Sequence, residues 1–230
     1  ANIGAKRWSD SYKEKILSSR IETTKLIVSS FKKLLQKPKS FIGASAIGIY
    51  GDRGDELLTE NSSLGSDFLA DVCKEWESET EKASELGIRT CSMRTGIVLS
   101  NEEGAMKKML LPFKLFVGGP LGNGKQYFSW VHIDDVVNGY LFCIDNNVNG
   151  KFNLASPNPV TMKEFAKTLG IEMKRPALFN VPKFALQLIL GEGADAVLAS
   201  QKIKPERLLN EKFQFKFLNL QKAIKNLLHK

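Results

Sequence analysis

Apolar residues recur every three or four positions over several stretches of the chain, the spacing that one face of an α-helix produces. One stretch starts at Ser9, a good N-cap residue, and we predict that its helix runs to the helix-breaking Pro38. A second helix is predicted to start at Asp67. A third follows Asp134 and Asp135, and either carboxylate is suited to cap it by accepting hydrogen bonds from first-turn amides.

Short apolar runs at residues 40–44, 88–95 and 151–154 lie between these helices and are typical of buried strands. Strands that alternate with helices of ten or more residues favour a parallel sheet covered on both faces. We therefore predict an α/β fold with a doubly wound, mostly parallel sheet. Residues 1–155 would form this domain, with residues 101–127 contributing a loop or lid.

The C-terminal part, residues 156–230, is predicted to be a smaller and mostly helical lobe. Residues 161–164 read Thr-Met-Lys-Glu, a capping box that starts one helix. Pro182 suits the first position of another. We expect this lobe to lie over the carboxyl ends of the strands, where open α/β sheets bind their ligands.

Composition excludes several classes of protein. No run of 18 apolar residues occurs, which argues against a membrane span, and no signal peptide is visible, so we expect a cytoplasmic protein. Three separated cysteines and two histidines predict no metal site. The net charge of +8 is dispersed among carboxylates, so we expect a solvated basic surface and no nucleic-acid partner.

Four segments, taken in order along the chain, resemble the extended short-chain dehydrogenase/reductase superfamily, and specifically its atypical "epimerase family protein" branch. They read FIGASAIGIYGD from Phe41, RTGIVL from Arg94, WVHIDD from Trp130 and FNLA from Phe152. The resemblance implies a Rossmann-like fold that binds NADP or NAD, with NADP slightly preferred. It also implies a nucleotide-sugar epimerase-like or oxidoreductase activity.

The glycine-rich turn that holds a dinucleotide's pyrophosphate is missing from the sequence. No G-x-G-x-x-G follows a predicted strand, and Gly118 to Gly124 follows a helix, so we interpret that segment as a loop or lid. Since the resemblance begins at Ala1, we expect an N-terminally incomplete Rossmann domain. We also expect that this chain alone binds no ordered dinucleotide and leaves an apolar sheet edge or face exposed.

The superfamily's Ser-Tyr-Lys triad is absent by the same resemblance. Its serine position falls on Ala46, and Ser45 lies one residue earlier. Its tyrosine position falls on Phe68 or Leu69. Its lysine position, four residues later, falls on Val72 or Cys73. The arginine that clamps a sugar-nucleotide diphosphate is replaced by Phe128. Carbonyl reduction or epimerisation through the usual proton relay is therefore in doubt.

The positions that contact the cofactor are better preserved. The resemblance assigns Arg20, Ser45 and the turn Thr95, Gly96 and Ile97 to cofactor binding. Arg20 could instead form a surface salt bridge with a nearby glutamate, either Glu14 or Glu22. Ser45 could instead bond to the backbone at the end of its strand.

Proton transfer and substrate contacts have fewer candidates. Tyr50 and Ser45 are the candidate catalytic hydroxyls, with a water molecule as the other relay, because Tyr50 follows a strand and precedes a turn. Trp130 and His132 are assigned to the substrate side. His132 also fits a buried core histidine, the alternative that its apolar neighbours favour.

The sequence therefore predicts an NAD(P)-dependent epimerase or oxidoreductase-like protein that acts on an unidentified small molecule. The alternative is an NAD(P)-binding sensor or partner-docking protein without turnover. We expect no membrane partner, and the sequence leaves open whether the protein forms a homodimer.

Overall fold

The computed structural model describes residues 1–229. Strands and helices alternate through the first two thirds of the chain, and helices predominate afterwards. The strands are β1 Ser40–Ala46, β2 Leu57–Leu58, β3 Arg89–Thr95, β4 Ile97–Leu99, β5 Tyr127–Phe128, β6 Trp130–His132, β7 Gly150–Leu154, β8 Val160–Thr161 and β9 Lys202–Ile203. The helices are α1 Asp10–Phe31, α2 Phe68–Glu81, α3 Gly104–Lys114, α4 Ile133–Asp145, α5 Met162–Met173, α6 Lys183–Leu190, α7 Gly193–Leu198, α8 Glu206–Asn210 and α9 Leu220–Leu228.

The central sheet has the order β1-β3-β7, and both pairings are parallel. Ser45 is paired with Arg94, and Arg94 with Asn153, so the three strands end at the same edge. Beyond Gly96 the chain continues into β4, which pairs in parallel with β6. The three predicted strands are therefore neighbours in one parallel sheet, and the predicted α/β fold is confirmed.

Helices cover both faces of this sheet. Helix α2 packs on one face, where a Cβ added at Gly43 would lie 2.5 Å from the Thr80 hydroxyl. Helix α1 packs against α2 and reaches β1 through an edge-to-face contact of Phe31 with Phe41, at 5.4 Å between ring centroids. Helix α4 covers the opposite face, where its Cys143 packs with Met93 and Phe152.

Local capping explains most helix starts. The Ser9 hydroxyl accepts from the Tyr12 amide, and the Asp67 carboxylate accepts from the Ala70 amide, as the sequence predicts. The capping box at Thr161 is present with both of its hydrogen bonds.

The structure corrects three predicted helix boundaries. Helix α4 is capped by His132, whose Nδ1 accepts from the Asp134 amide, and not by Asp134 or Asp135. The buried Asp135 carboxylate instead accepts backbone amides from the segment before α9. Pro182 is the N-cap of α6 rather than its first residue, and α1 ends at Phe31, well before Pro38.

The C-terminal lobe shares its core with the end of the first domain. One hydrophobic cluster joins Phe113 of α3 and Trp130 of β6 to Phe165 of α5 and Ile224 of α9. The predicted boundary at residue 155 thus falls between segments that pack together. None of the helices within residues 1–229 combines the length and the hydrophobicity that a transmembrane helix needs.

Candidate functional site

The middle strand becomes partly accessible where it leaves the carboxyl edge of the sheet. Arg94 and Leu99 are buried, whereas the segment between them, Thr95 to Val98, is half-buried and turns from β3 into β4 at Gly96. The Ser129 backbone packs closely against Gly96: a Cβ added at Gly96 would lie 2.6 Å from the Ser129 carbonyl oxygen. A glycine is therefore needed where β3 leaves the sheet.

One residue before this edge, a row of polar side chains crosses the sheet. Ser45, Arg94 and Asn153 occupy the same register on β1, β3 and β7. Their side chains lie on the α2 face, and all three are at most 5% exposed. Because buried polar groups are costly unless they are hydrogen-bonded, each of the three should have partners.

An ion pair with α2 satisfies the first two. Arg94 donates from Nε to Oε1 of Glu77 at 2.8 Å and from Nη2 to Oε2 at 2.9 Å, a bidentate arrangement. The Ser45 hydroxyl donates to the same Oε1 at 2.7 Å. Although burial acts to lower the pKa of Arg94, its bonds to Glu77 and Tyr50 raise it above its usual value.

Tyr50 joins this ion pair to β7. Its hydroxyl accepts from Nη1 of Arg94 at 2.9 Å and donates to Oδ1 of Asn153 at 2.7 Å. Tyr50 is completely buried, and burial raises the pKa of its phenol although Arg94 acts in the opposite sense. The hydroxyl is therefore a neutral link inside a network.

Glu60 extends the network to the C-terminal lobe. Its Oε1 accepts from the amides of Asn153, at 3.0 Å, and Arg207, at 3.3 Å. The Asn153 side chain donates to the Lys204 carbonyl at 3.3 Å. Burial raises the pKa of the Glu60 carboxyl, with the amide bonds acting against that shift. The edge of the sheet and the lobe are thus joined through one set of hydrogen bonds.

These contacts correct the placement of both predicted catalytic hydroxyls. Tyr50 was expected to reach the cleft above the edge, and Ser45 to lie at the edge itself. Both point into the interface between the sheet and α2. The alternative of a backbone bond for Ser45 is also wrong, because its acceptor is the Glu77 carboxylate.

Trp130 and His132 are corrected as well. Both are completely buried, so neither side chain reaches a surface that a substrate could touch. The Trp130 indole donates to the Asn158 carbonyl at 3.1 Å. His132 caps α4 and stacks on Phe217, with 3.8 Å between ring centroids. The interpretation of His132 as a core residue is the one that fits.

Arg20 lies half-buried between α1 and α2. Its guanidinium is 5.3 Å from the Trp76 ring centroid, and Nη1 donates to the Ile16 carbonyl at 2.9 Å. Burial lowers the pKa of this guanidinium. Among the described residues no ion pair joins Arg20 to Glu14 or Glu22, so the salt-bridge alternative is not observed. Its contact with a cofactor stays a prediction.

The positions that the resemblance assigns to the triad are apolar and packed. Phe68 makes an edge-to-face contact with Trp8, at 5.4 Å between centroids. Cys73 is buried with Ile47 and Ile49, and desolvation raises the pKa of its thiol to about 11. A thiol with that pKa is neutral at pH 7 and does not replace a catalytic tyrosine or lysine.

The residues at this edge would contact only the ring of a nicotinamide dinucleotide. The half-buried Ala46 and the turn from Thr95 to Ile97 offer a backbone and methyl surface of the kind that a flat ring packs on. Within residues 1–229 no strand leads through a glycine-rich turn into a helix, so these residues offer no pyrophosphate cradle of that type.

Sequence reasoning missed the network itself. Arg94 and Asn153 are part of the segments that carry the family resemblance, yet neither they nor Glu77 received a role. The available signal was a charged or amide residue inside a run that was otherwise typical of a buried strand.

The fold places the chain among Rossmann-like proteins. The NAD dependent epimerase/dehydratase family matches residues 1–155, and a domain of unknown function, DUF1731, matches residues 181–227. The chain belongs to the NAD dependent epimerase/dehydratase family, and the predicted resemblance is confirmed.

Two relatives have a similar sequence over almost the whole chain. An epimerase family protein of Staphylococcus aureus is 39% identical over 227 residues, which cover 98% of this chain and 76% of that protein. The chloroplastic SDR39U1 homolog of Arabidopsis thaliana, also an epimerase family protein, is 39% identical over 95% of this chain. The chain spans only 64% of that relative.

Among solved structures, the human epimerase family protein SDR39U1 (isoform 2) with NADPH has a TM-score of 0.92 and 32% identity. It covers 99% of this chain, which spans 78% of the human one.

Proposed function

We propose that the protein binds a nicotinamide dinucleotide, preferring NADP to NAD, and transfers hydride to or from a small substrate. The observation that carries the proposal is the half-buried segment at Thr95, Gly96 and Ile97, where the middle strand leaves the carboxyl edge of the sheet. The NADPH bound to the similar human protein supports the choice of cofactor.

When bound, a dihydronicotinamide supplies hydride to a carbonyl carbon while a proton reaches the oxygen, leaving an alcohol and the oxidised cofactor. The residues of this chain have other tasks. The turn at Gly96 supports the ring, and Arg20 supplies positive charge from α1. Since the hydroxyls of Tyr50 and Ser45 are buried in the network, we assign the proton to a water molecule at the edge.

Titration of the full-length protein with NADPH and NADH tests the proposal, and the nicotinamide fluorescence gives the dissociation constants. We expect tighter binding of NADPH. Arg20→Ala should weaken it by about 1–2 kcal/mol, the range of a charge-assisted hydrogen bond. Lys82→Ala is the matched control, because Lys82 is a surface cation at the C-terminal end of α2 that pairs with Glu79. No binding of either nucleotide would refute the proposal, and unchanged affinity in Arg20→Ala would remove Arg20 from it.

Binding without turnover is the second candidate, and one observation favours it. The triad positions are apolar, and the two nearby candidate hydroxyls are at most 4% exposed. A screen of carbonyl and alcohol substrates, followed at the nicotinamide absorbance, separates the two functions. Turnover of any of them would establish an enzyme. Cofactor binding with no turnover across the screen supports a sensor or docking protein.

A further inference from the structure

An open cavity of about 600 Å³ lies beside helix α5, away from the proposed cofactor edge. One side of it is the face of α5 that carries Lys163, Lys167 and Ile171, and the other sides are Pro120 and the segment 174–180. Its volume is within the range of small-molecule binding sites. No residue of β1, β3 or β4 lines it, so it is separate from the turn at Gly96.

Backbone hydrogen bonds hold the sides of this cavity together. The Lys163 amide of α5 donates to the Gly124 carbonyl at 2.9 Å, and the Val181 amide donates to the Pro120 carbonyl at 2.9 Å. The Arg175 amide donates to the Gly170 carbonyl of α5 at 2.8 Å. The segment that the sequence indicates to be a loop or lid is therefore fixed to α5 and to the residues around Val181.

The charges that line the cavity have one sign. Its charged side chains are Lys163, Lys167, Lys174 and Arg175. Within residues 1–229 none of these four forms an ion pair. The two carboxylates of α5 are engaged elsewhere, because Glu164 closes the capping box with Thr161 and Glu172 accepts from Gln221 at 2.7 Å. No carboxylate of this helix therefore neutralises the cations.

The three lysines share one face of the helix, since they are four and seven residues apart. Like charges at such spacing disfavour the helix. The helix dipole favours the cation of Lys174 at the C-cap, but it disfavours the cation of Lys163 in the first turn. Helix stability thus does not explain the arrangement, whereas an anion bound in the cavity would compensate for it.

Arg175 has donors that no protein acceptor uses. Its guanidinium lies over the Phe116 ring, 4.4 Å from the centroid, and Nη1 donates to the Lys174 carbonyl at 3.0 Å. Its Nε is buried and has no partner among the described residues. A guanidinium has five N–H donors, and its planar geometry matches two oxygens of a phosphate. Arg175 is therefore suited to bind a phosphate group.

We propose that this cavity binds a small molecule that carries two or more phosphate groups. Lys163 and Lys174 are separated by about 16 Å along the helix axis, a distance that a single phosphate does not span. Phosphate groups would instead contact Arg175 and Lys174 at one end and the other lysines further along α5. This inference does not depend on the proposed function, because none of the residues involved belongs to the cofactor edge.

Calorimetric titration of the full-length protein with inorganic pyrophosphate tests the inference, at physiological ionic strength. Inorganic phosphate is the ligand control. Pyrophosphate should bind about tenfold more tightly, because its second phosphate group reaches further cations. Full-length protein that binds no pyrophosphate, or binds it no better than phosphate, overturns the inference. A further segment of the chain that filled the cavity would give that result.

Two variants locate the bound diphosphate. Lys167→Glu should weaken pyrophosphate binding by about tenfold, because it replaces an attractive charge with a repulsive one. Arg175→Lys should weaken it by about threefold or more, since it keeps the charge but loses the planar pair of donors. Lys25→Glu is the matched control: it makes the same change of charge at an exposed lysine of α1 and should leave affinity unchanged.

The variants also give the results that contradict the inference. Equal affinity in Lys167→Glu and Lys25→Glu places the diphosphate elsewhere, the proposed cofactor site included, and overturns the assignment. Vesicles that contain phosphatidylinositol bisphosphate distinguish a lipid headgroup from a soluble ligand. Protein that sediments with these vesicles but does not bind pyrophosphate would overturn the proposal of a small-molecule site.

Discussion

Removing the Glu77 carboxylate should destabilise the protein severely, because Glu77 is the shared acceptor of a buried network. The variant Glu77→Leu leaves the Arg94 guanidinium, which is 2% exposed, without its bidentate partner. It also removes the acceptor of the Ser45 hydroxyl. Breaking a buried pair by removing one partner typically costs about 3–5 kcal/mol, because the remaining charge stays desolvated.

The magnitude can be checked against an exposed pair on the same helix. Lys74 and Asp71 of α2 are 2.6 Å apart, with side chains 37% and 56% exposed. Asp71→Asn should cost about 1 kcal/mol or less, since water screens such pairs. The contrast between the two sites therefore tests whether burial sets the cost of breaking an ion pair.

Urea unfolding of the variants, followed by far-UV circular dichroism, gives the free energies of unfolding. The double variant Glu77→Leu with Arg94→Met should be more stable than Glu77→Leu alone, because it no longer buries an unpaired charge. A Glu77→Leu protein within about 1 kcal/mol of the parent would refute this reasoning. So would a double variant no more stable than the single one.

Three further changes test other parts of the site. Tyr50→Phe should cost about 1–3 kcal/mol in urea unfolding, because both buried partners of its hydroxyl lose a hydrogen bond. Gly96→Ala should destabilise the protein and weaken NADPH binding, whereas Gly48→Ala, whose added Cβ meets nothing closer than 3.5 Å, should change little. Glu60→Gln should gain stability relative to the parent as pH rises from about 4 to 7, measured by thermal unfolding. The buried parent carboxyl has a raised pKa, so its contribution to stability is full below the usual 4.5 and is lost as pH rises through the raised value.

Each of these has a contradicting outcome. Parent-like stability in Tyr50→Phe would mean that its two hydrogen bonds are replaced by water. A Gly96→Ala protein as stable as Gly48→Ala would show that the turn relaxes away from the Ser129 carbonyl. A stability difference for Glu60→Gln that is constant with pH would show that the carboxyl titrates normally.

The fold was predictable because its signals are local. Stretches with apolar residues at the three- or four-residue spacing of a helix alternate along the chain with the short apolar runs of buried strands. Ser9, Asp67 and Thr161 carry side chains suited to cap a helix. The error at α4 has a physical reason: two carboxylates in a first turn look like caps, but a histidine one residue before the helix supplies the acceptor. Asp135 was free to bind a distant segment instead.

The candidate site was less predictable because its contacts join residues far apart in sequence. Ser45 and Glu77 are separated by 32 residues, and Tyr50 and Asn153 by 103. No spacing rule links such positions without the strand register. A hydroxyl after a strand therefore looked accessible in the sequence, while in the fold an arginine from the neighbouring strand covers it.

The register also connects the buried network to the proposed cofactor edge. Successive residues in a strand point to opposite faces, so Ser45 and Arg94 face α2 while their successors Ala46 and Thr95 do not. Ala46 and Thr95 are themselves paired across the sheet. The hydrogen bonds that hold Ser45 and Arg94 in place therefore also fix the position and orientation of Ala46 and Thr95. The buried network should therefore also control the surface on which a nicotinamide ring would lie, and changes to it should alter cofactor affinity together with stability.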